Sequence, residues 1–155
     1  MIPWPVTDLI PHAGDMVLLD HVLAFDTDTL QARATVRADG LFSEPDGSLP
    51  NWMGLEIMAQ AVAAWAGCHA RAAGRPVELG FLLGTRNYEC HVPAFAAGTE
   101  LLVDVSRSLH DATGMGMFEC RLLGAGATLA QARLNVFSPR DVNSFVQESQ
   151  PPRST

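Results

Sequence analysis

The sequence predicts an α+β domain in which one antiparallel sheet packs against one long helix. Three observations lead there. The stretch that opens Leu49-Pro50-Asn51-Trp52-Met53-Gly54-Leu55-Glu56 and runs on to Cys68 is apolar on nearly every face. Segments before and after it alternate apolar and polar residues with a period of two, the signature of half-buried strands. Their order is a hairpin, the helix, then consecutive strands joined by short turns. A helix that is apolar all round is expected to be buried all round. This one is too short and too interrupted to cross a bilayer.

In chain order, residues 3–15 hold three prolines and the run His12-Ala13-Gly14-Asp15, which predicts irregular or short-helical chain. Residues 16–23 are apolar enough for a strand, and Asp26-Thr27-Asp28-Thr29 is a turn. Residues 30–36 set Leu30, Ala32, Ala34 and Val36 against Gln31, Arg33 and Thr35, so the first two strands make a hairpin. Residues 38–50, with Gly40, Pro45, Asp46, Gly47 and Pro50, form a loop into the helix. Pro50 and an Asn51 cap start that helix, and it ends near 72–74 with His69, Arg71 and Arg75 suiting the dipole. Residues 78–90 read as a long strand, where Gly80 and Gly84 mark a bulge or a close backbone approach. A loop at 91–98 follows. Residues 100–109 then place Leu101, Val103 and Val105 on one side and Leu102, Asp104 and Ser106 on the other. Strands at 115–123 and 127–137 are joined by Gly124-Ala125-Gly126. The chain thus divides into one domain over residues 1–140 and a polar, proline-bearing tail at 141–155 that is expected to fray. A single sheet wrapped round a central helix is the hot-dog arrangement.

Composition narrows the partners. The formal charge is −7, and the ten basic residues are all Arg and scattered, so no nucleic-acid footprint is present. An acidic partner would need a local Arg patch, for which Arg71, Arg75, Arg86 and Arg107 are the candidates. The three cysteines, Cys68, Cys90 and Cys120, lack zinc spacing and read as free thiols of a reducing, cytoplasmic environment. The first residues carry neither a basic n-region nor an apolar h-region, so neither a signal peptide nor a membrane span is expected, and no metal site either.

Glu56 is the only carboxylate between Asp46 and Glu78. A charged carboxylate in a dry interior costs several kcal/mol unless it is partnered or neutralised. It is therefore either a helix-start acid or a working group. Gln60 is one turn further on and faces the same side, to orient the acid, line the pocket or bond the backbone. Trp52 and Trp65 are candidates for the wall of an apolar tunnel or for packing, and Met53, Met58, Met115 and Met117 for a pocket floor or gap-filling.

Three motifs together resemble the β-hydroxyacyl-carrier-protein dehydratases of the FabZ/FabA type, which have the hot-dog fold. Ile10-Pro11-His12, followed by Leu18-Leu19-Asp20-His21-Val22, resembles the family's opening Leu-Pro-His…Leu-Leu-Val-Asp-Arg-Val. Leu55-Glu56-Ile57-Met58-Ala59-Gln60-Ala61 resembles its helix motif Leu-Glu-Ala-Met-Ala-Gln-Ala. The segment from Gly84 through Pro93 to Gly98 is similar to its Gly-Ile-Asp…Pro-Val-Xaa-Pro-Gly-Asp. The pattern across residues 50–60 is most similar to the dehydratase-like (ApeP-type) proteins of aryl polyene clusters.

The resemblance implies removal of water from a 3-hydroxyacyl thioester, carried on the phosphopantetheine of an acyl carrier protein, to give a trans-2-enoyl thioester. It implies no metal or redox cofactor. A His is the base at C2, a helix carboxylate protonates the leaving hydroxyl, and a backbone N–H polarises the carbonyl. Glu56 falls on the acid, and a desolvated carboxylate can keep its proton to donate it. Gly84 falls on the glycine beside the thioester, while Gln60 and Trp52 fall beside the substrate. The family's catalytic His lies fourteen residues before the acid, where this chain has Phe42, and residues 41–50 contain no His. Three explanations follow. His12 replaces the base; or a hot-dog paralogue supplies it across a heterodimer; or the chain is a non-catalytic acyl-binding subunit. The resemblance implies a dimer, either a homodimer or a heterodimer with a hot-dog paralogue. Hot-dog acyl thioesterases, which use a helix carboxylate to activate water, are the other enzymatic alternative. His21, His69, His91 and His110 each have a plainer place, on a strand, a helix end or a loop.

Overall fold

The computed structural model describes residues 2–77, 81–110 and 114–137. Its strands are β1 (His21–Phe25), β2 (Thr29–Thr35), β3 (Leu49–Pro50), β4 (Phe81–Cys90), β5 (Ala94–Phe95), β6 (Glu100–His110), β7 (Met115–Gly124) and β8 (Ala127–Phe137). The helix α1 spans Met53–Ala72 and lies between β3 and β4 in the chain. Six strands form one sheet in the order β1-β2-β6-β7-β8-β4, every neighbouring pair antiparallel. The short strands β3 and β5 pair separately. One sheet wrapped round one helix is the hot-dog arrangement that the element order predicts. The tail expected at 141–155 and Gly80 lie outside the described residues.

Alternation explains the core. Leu30, Ala32 and Ala34 of β2, Leu101, Val103 and Val105 of β6, Phe118, Cys120 and Leu122 of β7, and Ala130, Ala132 and Leu134 of β8 are buried. They join Ile57, Met58, Ala61, Val62, Ala64 and Cys68 of α1 in a single cluster. Their side chains share one face because successive residues of a strand point to opposite sides. The expected bulge at Gly84 is present as a register shift between Leu82 and Gly84 in the β4–β8 ladder.

Four expectations need correction. The first strand begins at His21 and not at residue 16, because Met16 belongs to a 3-10 turn (Gly14–Met16) and the Leu18 N–H donates to a helix side chain. Pro50 sits in β3, and the cap position is Trp52, with no side-chain cap bond. Asn51 contributes its backbone carbonyl instead, which accepts the Gly54 N–H at 3.2 Å and the Tyr88 hydroxyl. The loops at 38–50 and 91–98 contain the strands β3 and β5. Finally, α1 is not buried all round. Leu55, Ala59 and Ala63 are half-buried and Ala66 is exposed, since one sheet covers only one side of a helix.

The chain before β1 forms an arm that runs along α1. Arg71 donates from Nε and Nη2 to the Asp8 carbonyl at 3.1 and 3.0 Å. Leu9 and Ile10 are buried, and the Leu9 carbonyl packs directly against Gly67. Helix and arm touch backbone to backbone there, which only a residue without Cβ permits. A Gly67→Ala chain is expected to lose about 1–3 kcal/mol or more of unfolding free energy through overpacking. Urea titration would measure the loss.

Candidate functional site

The arm brings His12 to the start of α1. His12 Nε2 lies 3.2 Å from Glu56 Oε1, while His12 Nδ1 is buried and makes no hydrogen bond. Gln60, one turn along the helix, donates from Nε2 to the same Glu56 oxygen at 3.2 Å. That nitrogen also donates to the Met16 carbonyl at 2.7 Å, and Gln60 Oε1 accepts the Leu18 N–H at 2.8 Å. The i, i+4 spacing stacks Glu56 and Gln60 on one helix face, and the 3-10 turn at Gly14–Met16 folds the arm back over that face. Among the described residues, the polar partners of Glu56 are His12 and Gln60, and both meet Oε1.

Glu56 is not in a dry interior. Its side chain is 37% exposed and that of His12 is 26% exposed, so the carboxyl is open to an incoming molecule. The environment is mixed. Trp52, one turn before Glu56, is 60% exposed, and Met16 and Leu41 are also exposed. A cavity of about 50 Å³ lies beside the site, lined by Leu18, Ile57, Leu41, Phe42 and neighbouring residues. Phe42, at the position where the resemblance places a His, lines this cavity and has no atom that could accept a proton.

The remaining expected site residues are placed differently. Gln60 is fully buried and its amide is spent within the chain, so it presents no polar atom to a substrate. Gly84 is on the edge strand β4, half-exposed, with open space where a side chain would be. No hydrogen bond of the described residues links it to Glu56. Trp65 is a packing residue, in contact with Phe118 and His69 and stacked under the Arg107 guanidinium at 4.9 Å. Met53 and Met58 are core. His69 bonds the Asp26 carbonyl at 2.8 Å, His21 and His91 are exposed, and His110 ends β6. Arg107 is paired with Asp28 at 2.8 Å and Arg71 is occupied by the arm. Burial pushes the Cys68 thiol up to about 11 and the Cys120 thiol up to about 12. No group of three His, Cys, Asp or Glu among the described residues is disposed to hold a metal ion. Among the described residues, no helix is long and apolar enough to cross a membrane.

Tyr88 is a residue that sequence reasoning did not single out. Its hydroxyl reaches from β4 to the Asn51 carbonyl, fixing the edge strand to the helix start, and burial pushes its phenol well above the usual range. The local signal is Gly54: a Cβ there would fall on that hydroxyl.

A family model described as ApeP-like, ApeP dehydratase, matches residues 4–147. Among solved structures, a chain of the dehydratase heterocomplex ApeI:P from Xenorhabdus doucetiae is 34% identical, with 95% of this chain and 99% of that chain covered and a TM-score of 0.82. A hypothetical thioesterase with coenzyme A from Streptococcus pneumoniae is 8% identical, with 76% and 86% covered and a TM-score of 0.60. The PaaI protein of the phenylacetic acid degradation operon of E. coli is 13% identical, with 75% and 80% covered and a TM-score of 0.58. At such identities the last two share the fold alone. No curated protein matches the sequence.

Gly84 and Gly54 differ in what an added side chain would meet. Gly84→Ala should unfold within about 0.5 kcal/mol of the wild type. Gly54→Ala, with Phe95 and Leu122 also within 3.3 Å of the added carbon, should lose about 1–3 kcal/mol. Chemical denaturation of both distinguishes them.

Proposed function

The chain belongs to the ApeP-like dehydratase family, and from that premise we propose that it is the acid-bearing subunit of a dehydratase acting on 3-hydroxyacyl thioesters of an acyl carrier protein. The observation that carries this reading is the state of Glu56. One of its oxygens is held by His12 and Gln60, while the carboxyl remains open on an apolar rim. In the reaction, Glu56 gives a proton to the C3 hydroxyl as the C3–O bond breaks. A base takes the C2 proton, and its electron pair becomes the C2–C3 double bond. The products are water and a trans-2-enoyl thioester. Gly84 lies on the edge strand where the thioester would pass, with no side chain to hold it off. The exposed Trp52 is suited to the apolar part of the substrate. The reaction as proposed uses no metal or redox cofactor. Phosphopantetheine enters as part of the substrate.

The base comes from a second hot-dog chain. His12 supports this by elimination, since its Nε2 is directed at Glu56 and its Nδ1 is enclosed. With Nε2–H donating to Oε1 of the Glu56 carboxyl, the remaining lone pair faces protein. His12 thus serves the acid rather than the C2 proton. The partly uncovered strip of α1 at Leu55, Ala59, Ala63 and Ala66, and the free edge of β4, are surfaces that a second chain would cover. The relative from Xenorhabdus doucetiae is itself part of a dehydratase heterocomplex, so a heterodimer is favoured over a homodimer. Aryl polyene or fatty-acid synthesis in the cytoplasm is the setting that suits this chemistry.

The test is turnover of 3-hydroxyacyl-carrier-protein thioester by the purified chain, with and without a hot-dog paralogue that carries the loop His. Product is expected only with the paralogue, and Glu56→Gln in this chain should lower kcat about 10²–10⁴-fold. Full activity of the chain alone, or an unchanged rate with Glu56→Gln, would overturn the proposal. Release of free acid and thiol in place of the enoyl thioester would move it to the thioesterases.

A further inference from the structure

β4 is an edge of the six-stranded sheet, and an extra residue is built into its ladder. Arg86 stands opposite Arg133 and Glu89 opposite Gln131, so three steps along β4 match two along β8. Arg133 and Gln131 are exposed, and Ala132 between them is buried. Arg86 and Glu89 are exposed as well, and the Gln131 amide donates to the Glu89 carboxylate at 3.0 Å. Strict alternation from Arg86 would turn Tyr88 outward with it. The bulge reverses that. It is taken up at Asn87, whose φ of 56° is left-handed, a conformation that Asn adopts more readily than most residues. Tyr88 is thereby turned inward, and its hydroxyl donates to the Asn51 carbonyl at the head of α1. Burial pushes the phenol well above its usual range, so it keeps its proton and stays a donor. The receiving end is shaped to match. Gly54 has no Cβ to displace the hydroxyl, and the cap residue Trp52 makes no side-chain cap bond that would hold the helix head in its place.

We propose that Tyr88 links assembly to the site: a second hot-dog chain pairing along β4 holds the bulge, the bulge holds Tyr88 on Asn51, and Asn51 holds the first turn of α1, which carries Glu56. An edge strand bonded on one side, with two interruptions in its ladder, opens more readily than a strand bonded on both. Each opening at the bulge takes Tyr88 off Asn51. Among the described residues, the Asn51 carbonyl then keeps one partner, the Gly54 N–H at 3.2 Å. The head of the helix is slack in the lone chain and set in the assembled one. Tyr88 is a positioning residue, acting through Asn51 and touching no substrate atom. This rests on the reading that a second hot-dog chain covers the β4 edge and that Glu56 is the acid.

The experiment uses the full chain, with and without a hot-dog paralogue, and reads hydrogen exchange at the Gly54 amide by NMR. Gly54 is already buried within the chain, so direct cover by a second chain adds little there. In the wild type, the paralogue is expected to slow that exchange on the order of 10-fold. Tyr88→Phe keeps the ring and removes the hydroxyl alone. Its Kd for the paralogue should stay within about threefold of the wild type, since no atom of the free edge changes. Its Gly54 exchange should no longer respond to the paralogue. With a 3-hydroxyacyl-carrier-protein thioester, kcat of the Tyr88→Phe complex should fall on the order of 10-fold, the scale of a small misplacement of a reacting group. That loss should vanish on a Glu56→Gln background. Equal slowing at Gly54 in wild type and variant, the outcome of a role in stability alone, overturns the proposal. No slowing in either, or an unchanged kcat for the variant complex, overturns it too. Should Tyr88→Phe not fold, Asn87→Val takes its place, because a β-branched residue disfavours the left-handed backbone and leaves the hydroxyl intact. The same loss of response at Gly54 is expected, and a full response overturns the proposal. A wild type that does not bind the paralogue, or a Glu56→Gln chain with intact turnover, sinks the underlying reading, and both are read without any change at Tyr88.

Discussion

A single buried amide governs how this molecule is put together. Gln60 lies in the middle of an apolar helix with no route to water, and its hydrogen bonds have to be found inside the chain. They are found in the backbone of residues 16–18, which gives up strand pairing to supply them. That exchange explains why β1 starts at His21 although the residues before it are equally apolar. It also explains the 3-10 turn and the course of the arm from Arg71 toward Glu56. The close contact of the Leu9 carbonyl with Gly67 anchors the other end. The site is thus a product of secondary structure forgone as much as of secondary structure formed.

The extent to which the fold was legible in the sequence follows the range of the interactions. The strands β2, β6, β7 and β8 fall within a residue or so of expectation, because alternation is a local record of which side faces the core. The helix end is equally local, with Ala73 closing on carbonyls of the last turn. The helix start was misassigned because Asn51 is tied by its carbonyl to Tyr88, thirty-seven residues away, and this competes with side-chain capping. The two-residue strands β3 and β5 are too short for any period to register, and only their mutual pairing defines them.

At the site, Glu56 was legible as a lone carboxylate in an apolar run, and Gln60 as its neighbour on the same face. The roles were less so. Gln60 was expected beside the substrate, yet its partners are backbone groups more than forty residues away, which no spacing rule encodes. His12 was one of five histidines with comparable local contexts, and only the arm's path selects it. The depth expected for Glu56 failed for a geometric reason. A sheet that curls round one side of a helix leaves the other side to whatever comes next, and Glu56 is on that margin. What this chain shares with the thioesterase structures is the fold, and a fold leaves the chemistry to the residues that face its helix.

The strand order also has a consequence for how the protein is made. The strands β6, β7 and β8, half of the six-stranded sheet that packs on α1, are the last part of the described chain to be synthesised, whereas the helix is complete at Ala72. At about 5–20 residues per second, the interval is several seconds. During it, the nascent helix has only the arm and the β1–β2 hairpin to shield its apolar surface. The hairpin is itself waiting for β6, the neighbour that joins it to the rest of the sheet. A newly made chain therefore passes through a stage in which a sticky helix and an open strand edge are exposed together. The cell's chaperones would meet this protein in that form.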